Sequence, residues 1–295
     1  MKRNNNWYNA INLVVLILTA RAFISEYYKA DTLFENYDIG YIIVLILTVF
    51  IVHFIKAGRL YVALYGTNIG IFTYIKIYCK VTPVGVIFPF KTGEFFRMYC
   101  YGDKCKSLLK GIVVVLLDRF MDTAALVTII IMALIFNGGQ ISILTYILLL
   151  FLVFAPLIYF VFPGVYKFWK KYILKTKATE HKLTVLKLLE SLNNLYVEIT
   201  NITKGRGAIL YSMSLIAWAV EIGCIALLCE INKGNAFNET IADYLSSALG
   251  NGSSIELNQF VFISVILMIV IYVVIKAVEI IFRRRNLSED ISHIR

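Results

Sequence analysis

Six apolar segments in the sequence are each long enough to cross a lipid bilayer as a helix. A transmembrane helix needs about 20 predominantly apolar residues, because unsatisfied backbone polar groups are costly in hydrocarbon. Hydrophobic residues make up 59% of the 295 residues and charged residues only 16%, which excludes a water-soluble enzyme. We therefore expect one all-α polytopic membrane domain over residues 1–295, with spans at Trp7–Ser25, Ile39–Ala57, Gly111–Phe136, Ile141–Phe162, Ala208–Cys229 and Phe260–Phe282.

The stretch between the second and third spans, residues 60–110, is apolar but interrupted by glycines, prolines and charges. A plain span does not fit this composition. The charge distribution of the chain also requires this stretch to begin and end on the same side of the membrane. We expect either a re-entrant hairpin or two tightly paired helices.

Basic residues are distributed unequally between the two sides of the predicted membrane domain. If the six spans alternate, 24 of the 29 lysines and arginines fall on one side, whereas the other carries Lys29, Lys233 and eight acids. Cytoplasmic loops are enriched in lysine and arginine. We therefore expect a multi-pass protein of the plasma (inner) membrane with both termini in the cytoplasm. The net charge of +10 then reflects topology, and no nucleic-acid partner is predicted.

A polar segment, residues 163–206, follows the fourth span and contains nine basic residues between Lys167 and Arg206. Its apolar residues recur at roughly helical intervals, which predicts a basic amphipathic helix on the cytoplasmic side. This connector either lies on anionic lipid headgroups or is simply solvated.

Three charged residues, Asp118, Arg119 and Asp122, lie seven to eleven residues into the third span. Each unpaired charge near the bilayer centre costs about 2.5–3.5 kcal/mol on insertion scales. Asp118 and Asp122 share a helix face, so Arg119 neutralises the span only in part. These residues must therefore face the protein interior and have partners elsewhere in the chain.

The nearest partners in the sequence lie in the hairpin region, where Glu94 and Arg97 are spaced i, i+3 on a helix predicted to begin near Thr92. Gly93 permits a tight backbone there, and the helix N-terminus with adjacent Lys91 would attract an anion such as phosphate. The six charges sum to zero, and we infer one buried substrate-binding site from them: Lys91, Glu94, Arg97, Asp118, Arg119 and Asp122. The alternative is that these charges only lock the hairpin onto the third span.

Other polar residues carry weaker predictions. Glu221 lies in the middle of a span, as either a proton-coupling group or a locally paired acid. His53 is expected at the membrane interface, and Lys276 with Glu279 as a pair that reaches water. The five cysteines include no C-x-x-C pair, and we predict no metal, no cofactor and no catalytic residue.

The charged motifs resemble those of a known family. The pattern P-x-K-x-G-E-x-x-R at Pro89–Arg97, followed by D-R-x-x-D at Asp118–Asp122, is similar to the transmembrane flippase-like region of the lysylphosphatidylglycerol synthase family. Members commonly have Arg at the position of Lys91 and Glu at that of Asp118. The resemblance implies lipid translocation. Since no soluble aminoacyl-transfer domain follows in the 295 residues, we expect a stand-alone member without lysyl transfer.

The same resemblance draws attention to the glycine-containing segment 249–256, because the family has a later glycine-rich segment that ends in Glu. Here it would form a second re-entrant element on the outer side. Opposed re-entrant elements are typical of transporters built from inverted repeats with a midplane binding site.

The sequence thus favours a lipid translocase that moves an anionic phospholipid or glycolipid between leaflets. Two alternatives remain: a membrane-embedded lipid or aminoacyl transferase, and an accessory subunit of a glycosyltransferase or polysaccharide export system. The transferase lacks support from a nucleophile–base pair or an aspartate-rich metal motif. The accessory subunit would dock an envelope glycosyltransferase through the basic connector.

Overall fold

The structure is a computed structural model that describes residues 5–28, 31–35, 37–67, 69–88, 92–137, 143–175, 179–233, 237–249 and 254–292. Helices account for nearly all of these residues, and the described part of the chain contains no strand, which confirms the all-α prediction. The helices are α1 (Asn5–Glu26), α2 (Asp31–Phe34), α3 (Ile39–Ala63), α4 (Ile71–Ile87), α5 (Gly93–Lys104), α6 (Leu108–Asn137), α7 (Ile143–Lys175), α8 (Glu180–Thr203), α9 (Gly207–Lys233), α10 (Phe237–Ala248) and α11 (Ile255–Ser292).

Within the described residues, four helices are long and apolar enough to cross a membrane: Ile39–Ala63, Ile143–Lys175, Gly207–Ile231 and Ile255–Ile281. The protein is therefore a multi-pass membrane protein. The other two predicted spans coincide with α1 and α6. The count of six spans stays a prediction.

Two helices extend well beyond the predicted spans. The predicted second span ends at Ala57, whereas α3 continues to Ala63 and carries Arg59 into the protein interior. The predicted fourth span ends at Phe162, but α7 continues to Lys175 despite the prolines within it. The first part of the predicted 163–206 connector thus belongs to α7, and most of the remainder forms α8.

The hairpin region forms two short, paired helices, α4 of 17 residues and α5 of 12. At 1.5 Å per residue they are about 26 Å and 18 Å long, shorter than the roughly 30 Å of a hydrocarbon layer. A Cβ atom on Gly93 would overlap the backbone of Val84, and one on Gly111 would overlap that of Gly102. Glycines therefore let α5 pack closely against both α4 and α6.

The described apolar core consists of two clusters, one containing Tyr74 and the other Trp218. Both α3 and α6 run through the two clusters. On each helix a stretch with charged residues separates them, residues 53–59 on α3 and 118–122 on α6. A polar layer is thus enclosed between two apolar layers of the same bundle.

The glycine-containing segment 249–256 is described only at its ends, because residues 250–253 lie outside the described part of the chain. The amphipathic helix α10 precedes it and packs against α9, and α11 begins directly after it. The predicted second re-entrant element and the inverted repeats remain predictions.

Candidate functional site

An alternating chain of three arginines and three carboxylates occupies the polar layer. It is built from α3, α5 and α6, and its order in space is Asp122, Arg59, Asp118, Arg97, Glu94 and Arg119. The formal charges of these six residues sum to zero. Close pairing of this kind is what allows charges to be buried among apolar helices.

Arg59 is the best-connected member of this charge chain. Its guanidinium donates to Asp118 at 2.9 Å from Nε and to Asp122 at 2.7 Å from one terminal nitrogen. It also donates to Ser214 on α9 at 2.6 Å. The Arg59 side chain is 4% exposed, so α3, α6 and α9 are joined by a buried charge.

Glu94 joins the two remaining arginines. Arg97 donates to Asp118 at 2.9 Å and lies 3.4 Å from Glu94, whose other oxygen contacts Arg119. The Arg97 side chain is 7% exposed, whereas that of Arg119 is 40% exposed. Arg119 is therefore the member of the charge chain that is most accessible from outside the bundle.

A second buried carboxylate lies at the edge of the same layer. Glu221 on α9 is 2% exposed and accepts hydrogen bonds from Lys56 and from the Tyr244 hydroxyl, each at 2.8 Å. The Lys56 ammonium also lies 5.1 Å from the ring centre of Trp218. The prediction for Glu221 left open a locally paired acid, and the structure supplies that pair.

A cavity of about 220 Å³ opens beside the charge chain. Its lining combines four basic residues and three acids with His53, Tyr78, Trp218 and an apolar wall from α4 and α11. The charged residues of the lining are Lys56, Arg59, Arg97, Arg119, Asp118, Asp122 and Glu221. Their formal charges give the lining an excess of one positive charge.

Within the described residues, five buried polar atoms that have no hydrogen-bond partner belong to residues lining this cavity. Such atoms are uncommon in folded proteins because each costs desolvation free energy. Their concentration around one cavity is typical of a site that is completed by a polar ligand. The atoms are His53 Nε2, Arg97 Nε, Arg119 Nε, Trp218 Nε1 and Ser264 Oγ.

An apolar pocket of about 360 Å³ adjoins the charged cavity between α3, α4 and α11. The two spaces share His53 and Tyr78, whose side chains are linked at 3.1 Å. The pocket is lined almost wholly by apolar and aromatic residues such as Phe50, Ile75 and Met268. A charged space and an apolar space thus meet at one pair of side chains.

The predicted site residues Glu94, Arg97, Asp118, Arg119 and Asp122 all belong to the charge chain. Gly93 begins α5, where it contacts α4. Lys91 lies outside the described residues.

The site predicted from the sequence did not include Lys56, Arg59 or His53. The charge distribution placed Lys56 and Arg59 on the cytoplasmic side, near the predicted end of the second span at Ala57, and His53 was expected at the interface. His53 is instead 7% exposed, and it lines the cavity. Residues 53, 56 and 59 are spaced three apart, and this spacing could have placed His53, Lys56 and Arg59 on one helix face.

No group of three or more His, Cys, Asp or Glu side chains suited to a metal ion occurs within the described ranges. The donors that surround the cavity are guanidinium, ammonium, hydroxyl and ring N–H groups. Groups of this kind bind anions rather than cations.

The fold and this site define a multi-pass helical membrane protein with a charge-lined cavity inside its bundle. The family model described as the lysylphosphatidylglycerol synthase TM region matches residues 10–233. The chain therefore belongs to the lysylphosphatidylglycerol synthase transmembrane family, as its motifs predict. Comparisons with curated proteins and with solved structures give no match.

Proposed function

We propose that this protein is a lipid translocase that moves an anionic phospholipid or glycolipid between the leaflets of the plasma membrane. The observation that carries the proposal is the charged cavity, where basic side chains and five unpartnered polar atoms surround a space of about 220 Å³. Family membership gives a membrane lipid-related function, and the proposed translocation is a more specific step.

The headgroup phosphate is proposed to bind Arg97 and Arg119, with Lys91 as a further base near the start of α5. Lys56 lines the same cavity and adds a fourth positive charge to this proposal. The carboxylates of Glu94, Asp118 and Asp122 keep the arginines oriented while the cavity is empty. Each charge thus has a partner before, during and after passage of the lipid, which avoids the cost of an unpaired charge in hydrocarbon.

Arg119 is the residue best placed to receive the headgroup. It is 40% exposed and contacts Glu94, a carboxylate that it shares with Arg97. An incoming phosphate can therefore replace Glu94 as the partner of Arg119, while Arg97 retains Glu94 within the network. Exchange of one anion for another costs less than release of a bare guanidinium.

The apolar pocket favours a lipid over a water-soluble anion as the ligand. It adjoins the charged cavity at His53 and Tyr78. A lipid likewise has a charged headgroup joined to apolar hydrocarbon chains through its glycerol or sugar. The headgroup would occupy the charged cavity, while a hydrocarbon chain would lie in the apolar pocket or in the bilayer.

The short helices α4 and α5 support a re-entrant hairpin, because each is shorter than the hydrocarbon layer. Such a hairpin would enter the membrane from the cytoplasmic side. It would place Glu94 and Arg97, near the N-terminus of α5, within the hydrocarbon layer. In this proposal both termini lie in the cytoplasm, in agreement with the excess of basic residues on that side.

Lipid transfer by the purified full chain in phospholipid vesicles tests the proposal. A fluorescent phosphatidylglycerol is placed in both leaflets, and a membrane-impermeant reductant removes fluorescence from the outer leaflet. Transfer lets the reductant reach the whole pool. We expect rapid loss of the whole signal with the unmodified chain, but loss of only the outer-leaflet signal with the Arg97→Ala/Arg119→Ala variant, because the reductant cannot reach the inner leaflet.

The matched control is Glu190→Gln, which removes an ion pair between α7 and α8. Hydrogen bonds from Lys170 and Tyr166 hold the pKa of Glu190 below its ordinary value, and the pair is about 40% exposed. Its loss should leave transfer unchanged. A second variant, Arg119→Lys, keeps the charge and should retain partial transfer. Unchanged transfer in the double variant would refute the site assignment.

A further inference from the structure

A second cavity, separate from the charged cavity, lies between α1, α4, α5 and α11. Its volume is about 380 Å³, and four lysines contribute to its lining. These lysines come from three helices: Lys76 and Lys80 on α4, Lys104 on α5 and Lys276 on α11. The two cavities have no lining residue in common.

The helix α4 separates the two cavities. Its residues Thr73, Lys76, Ile77 and Lys80 follow i, i+3, i+4, i+7 spacing and line the lysine cavity. The residues Tyr78, Val81, Thr82 and Gly85 repeat the same spacing and line the charged cavity. At 100° per residue, an offset of five residues places the two sets about 140° apart on the helix.

The described residues give the lysine cavity a net positive charge. Among the described ion pairs, Lys76 contacts Glu279 at 2.5 Å and Lys104 lies 3.8 Å from Asp103. Counting both acids against the four lysines leaves two positive charges. Like charges that converge on one space repel each other, and an anion between them offsets the repulsion.

Local contacts direct these lysines toward the cavity. Lys80 donates to Asn12 on α1 at 2.7 Å, and its ammonium lies 5.3 Å from the ring centre of Phe96. Lys276 of α11 lines the same cavity as Lys76 and Lys80 of α4. Freely solvated lysines at a membrane surface would spread apart to reduce this repulsion.

From this convergence we propose that the lysine cavity binds a phosphate group. Lysine acts as a compact point charge for phosphate, and several lysines match the multiple oxygens of one phosphate. The cavity lies beside the middle of α11, at Tyr272 and Lys276, and the first half of α4, toward the side of the membrane that is predicted to carry the excess of basic residues. Basic pockets between helices on that side bind phospholipid headgroups.

Two sources can supply such a phosphate: the headgroup of a phospholipid in the adjoining leaflet, or a free phosphate compound. The full chain in detergent is titrated with sodium phosphate, against sodium chloride of equal ionic strength, and separately with dioctanoyl phosphatidylglycerol against dioctanoyl phosphatidylcholine. The measurement is the midpoint of thermal unfolding, because a ligand that binds the folded state raises it in a saturable way.

We expect a saturable rise with at least one phosphate probe. A rise with inorganic phosphate assigns the site to a free phosphate compound, and a rise with phosphatidylglycerol alone assigns it to a lipid headgroup. Lys80→Gln/Lys276→Gln should need about tenfold more probe or greater, since it removes two charged donors. The control Lys171→Gln/Lys187→Gln removes two exposed lysines from α7 and α8 and should behave like the unmodified chain.

Three further variants complete the test. Lys80→Arg/Lys276→Arg retains both charges and should retain binding, and the single change Lys276→Gln serves if the double variant fails to fold. Arg119→Ala alters only the charged cavity and should leave this binding intact, so failure of lipid transfer does not bear on it. No saturable rise with either probe, or an equal rise in the glutamine variants, would overturn the proposal.

Discussion

A terminal guanidinium nitrogen of Arg59 on α3 lies 2.7 Å from a carboxylate oxygen of Asp118 on α6, in the interior of the bundle. The two residues are 59 positions apart in the sequence. The Arg59 side chain is 4% exposed and that of Asp118 is 3% exposed. A contact of this kind fixes the two helices relative to each other, because either charge alone would be buried without a partner.

Loss of Arg59 should therefore destabilise the fold. We expect Arg59→Met to lower the free energy of unfolding by about 3–5 kcal/mol, because Asp118 and Asp122 would keep their negative charges with fewer partners. The change is measured as a fall in the thermal unfolding midpoint in detergent. Glu190→Gln, which breaks an exposed pair, should show a far smaller fall. Equal midpoints for Arg59→Met and the unmodified chain would contradict this view of the charge chain.

Two glycines should resist substitution for steric reasons. A Cβ atom at Gly93 or Gly111 would overlap the backbone of the neighbouring helix. We expect Gly93→Ala and Gly111→Ala each to cost about 1–3 kcal/mol of unfolding free energy, as overpacking does elsewhere. A Cβ atom added at Gly223 on α9 would meet no atom of a neighbouring helix within 4 Å, so Gly223→Ala should be neutral or stabilising. Comparable losses at all three glycines would show that the close helix approach is not the cause.

Glu221 offers a test of proton coupling. In the proposed translocase, protonation of Glu221 would release Lys56 toward the headgroup, so a proton gradient should accelerate transfer. Glu221→Gln should abolish this acceleration, because glutamine carries no titratable proton. Tyr244→Phe removes the hydroxyl that donates to Glu221 and should keep the response. Equal acceleration in the Glu221→Gln variant would exclude this role.

The orientation of the chain can be read by chemical labelling. Lys187 on α8 and Glu239 on α10 lie on opposite sides if the basic residues mark the cytoplasm. An impermeant maleimide should label Glu239→Cys in intact cells and Lys187→Cys only after permeabilisation. The label that the unmodified chain takes up at its native cysteines is measured separately and subtracted. Three of these five cysteines are buried. The reverse pattern would place both termini outside.

The sequence predicted the helical fold and most of the charge chain because the cost of unpaired charges in hydrocarbon does not depend on tertiary detail. Asp118, Arg119 and Asp122 needed partners, and Glu94 and Arg97 were the nearest residues that could supply them. The structure brings all five together. This pairing could be predicted because the free-energy cost of an unpaired charge in hydrocarbon can be judged from the sequence alone.

The role of Arg59 could not be predicted in the same way. Basic residues at the end of an apolar run normally mark the membrane surface, and the rule that predicts orientation counted Arg59 among the bases of the cytoplasmic side. Only the path of α3 beyond Ala57 shows that Arg59 turns inward. The convergence of four lysines from three helices likewise depends on how those helices pack, which local sequence patterns do not encode.

The helix α11 forms part of the charged cavity but lies outside the region that matches the family model. The match ends at residue 233, and α11 contributes Leu257, Phe260, Val261 and Ser264 to one wall of the cavity. Substitutions along that wall can widen or narrow the chamber while the alternating arginines and carboxylates stay as they are. The shape of the cavity can therefore change along α11 while the charges on α3, α5 and α6 that hold the bundle together stay in place.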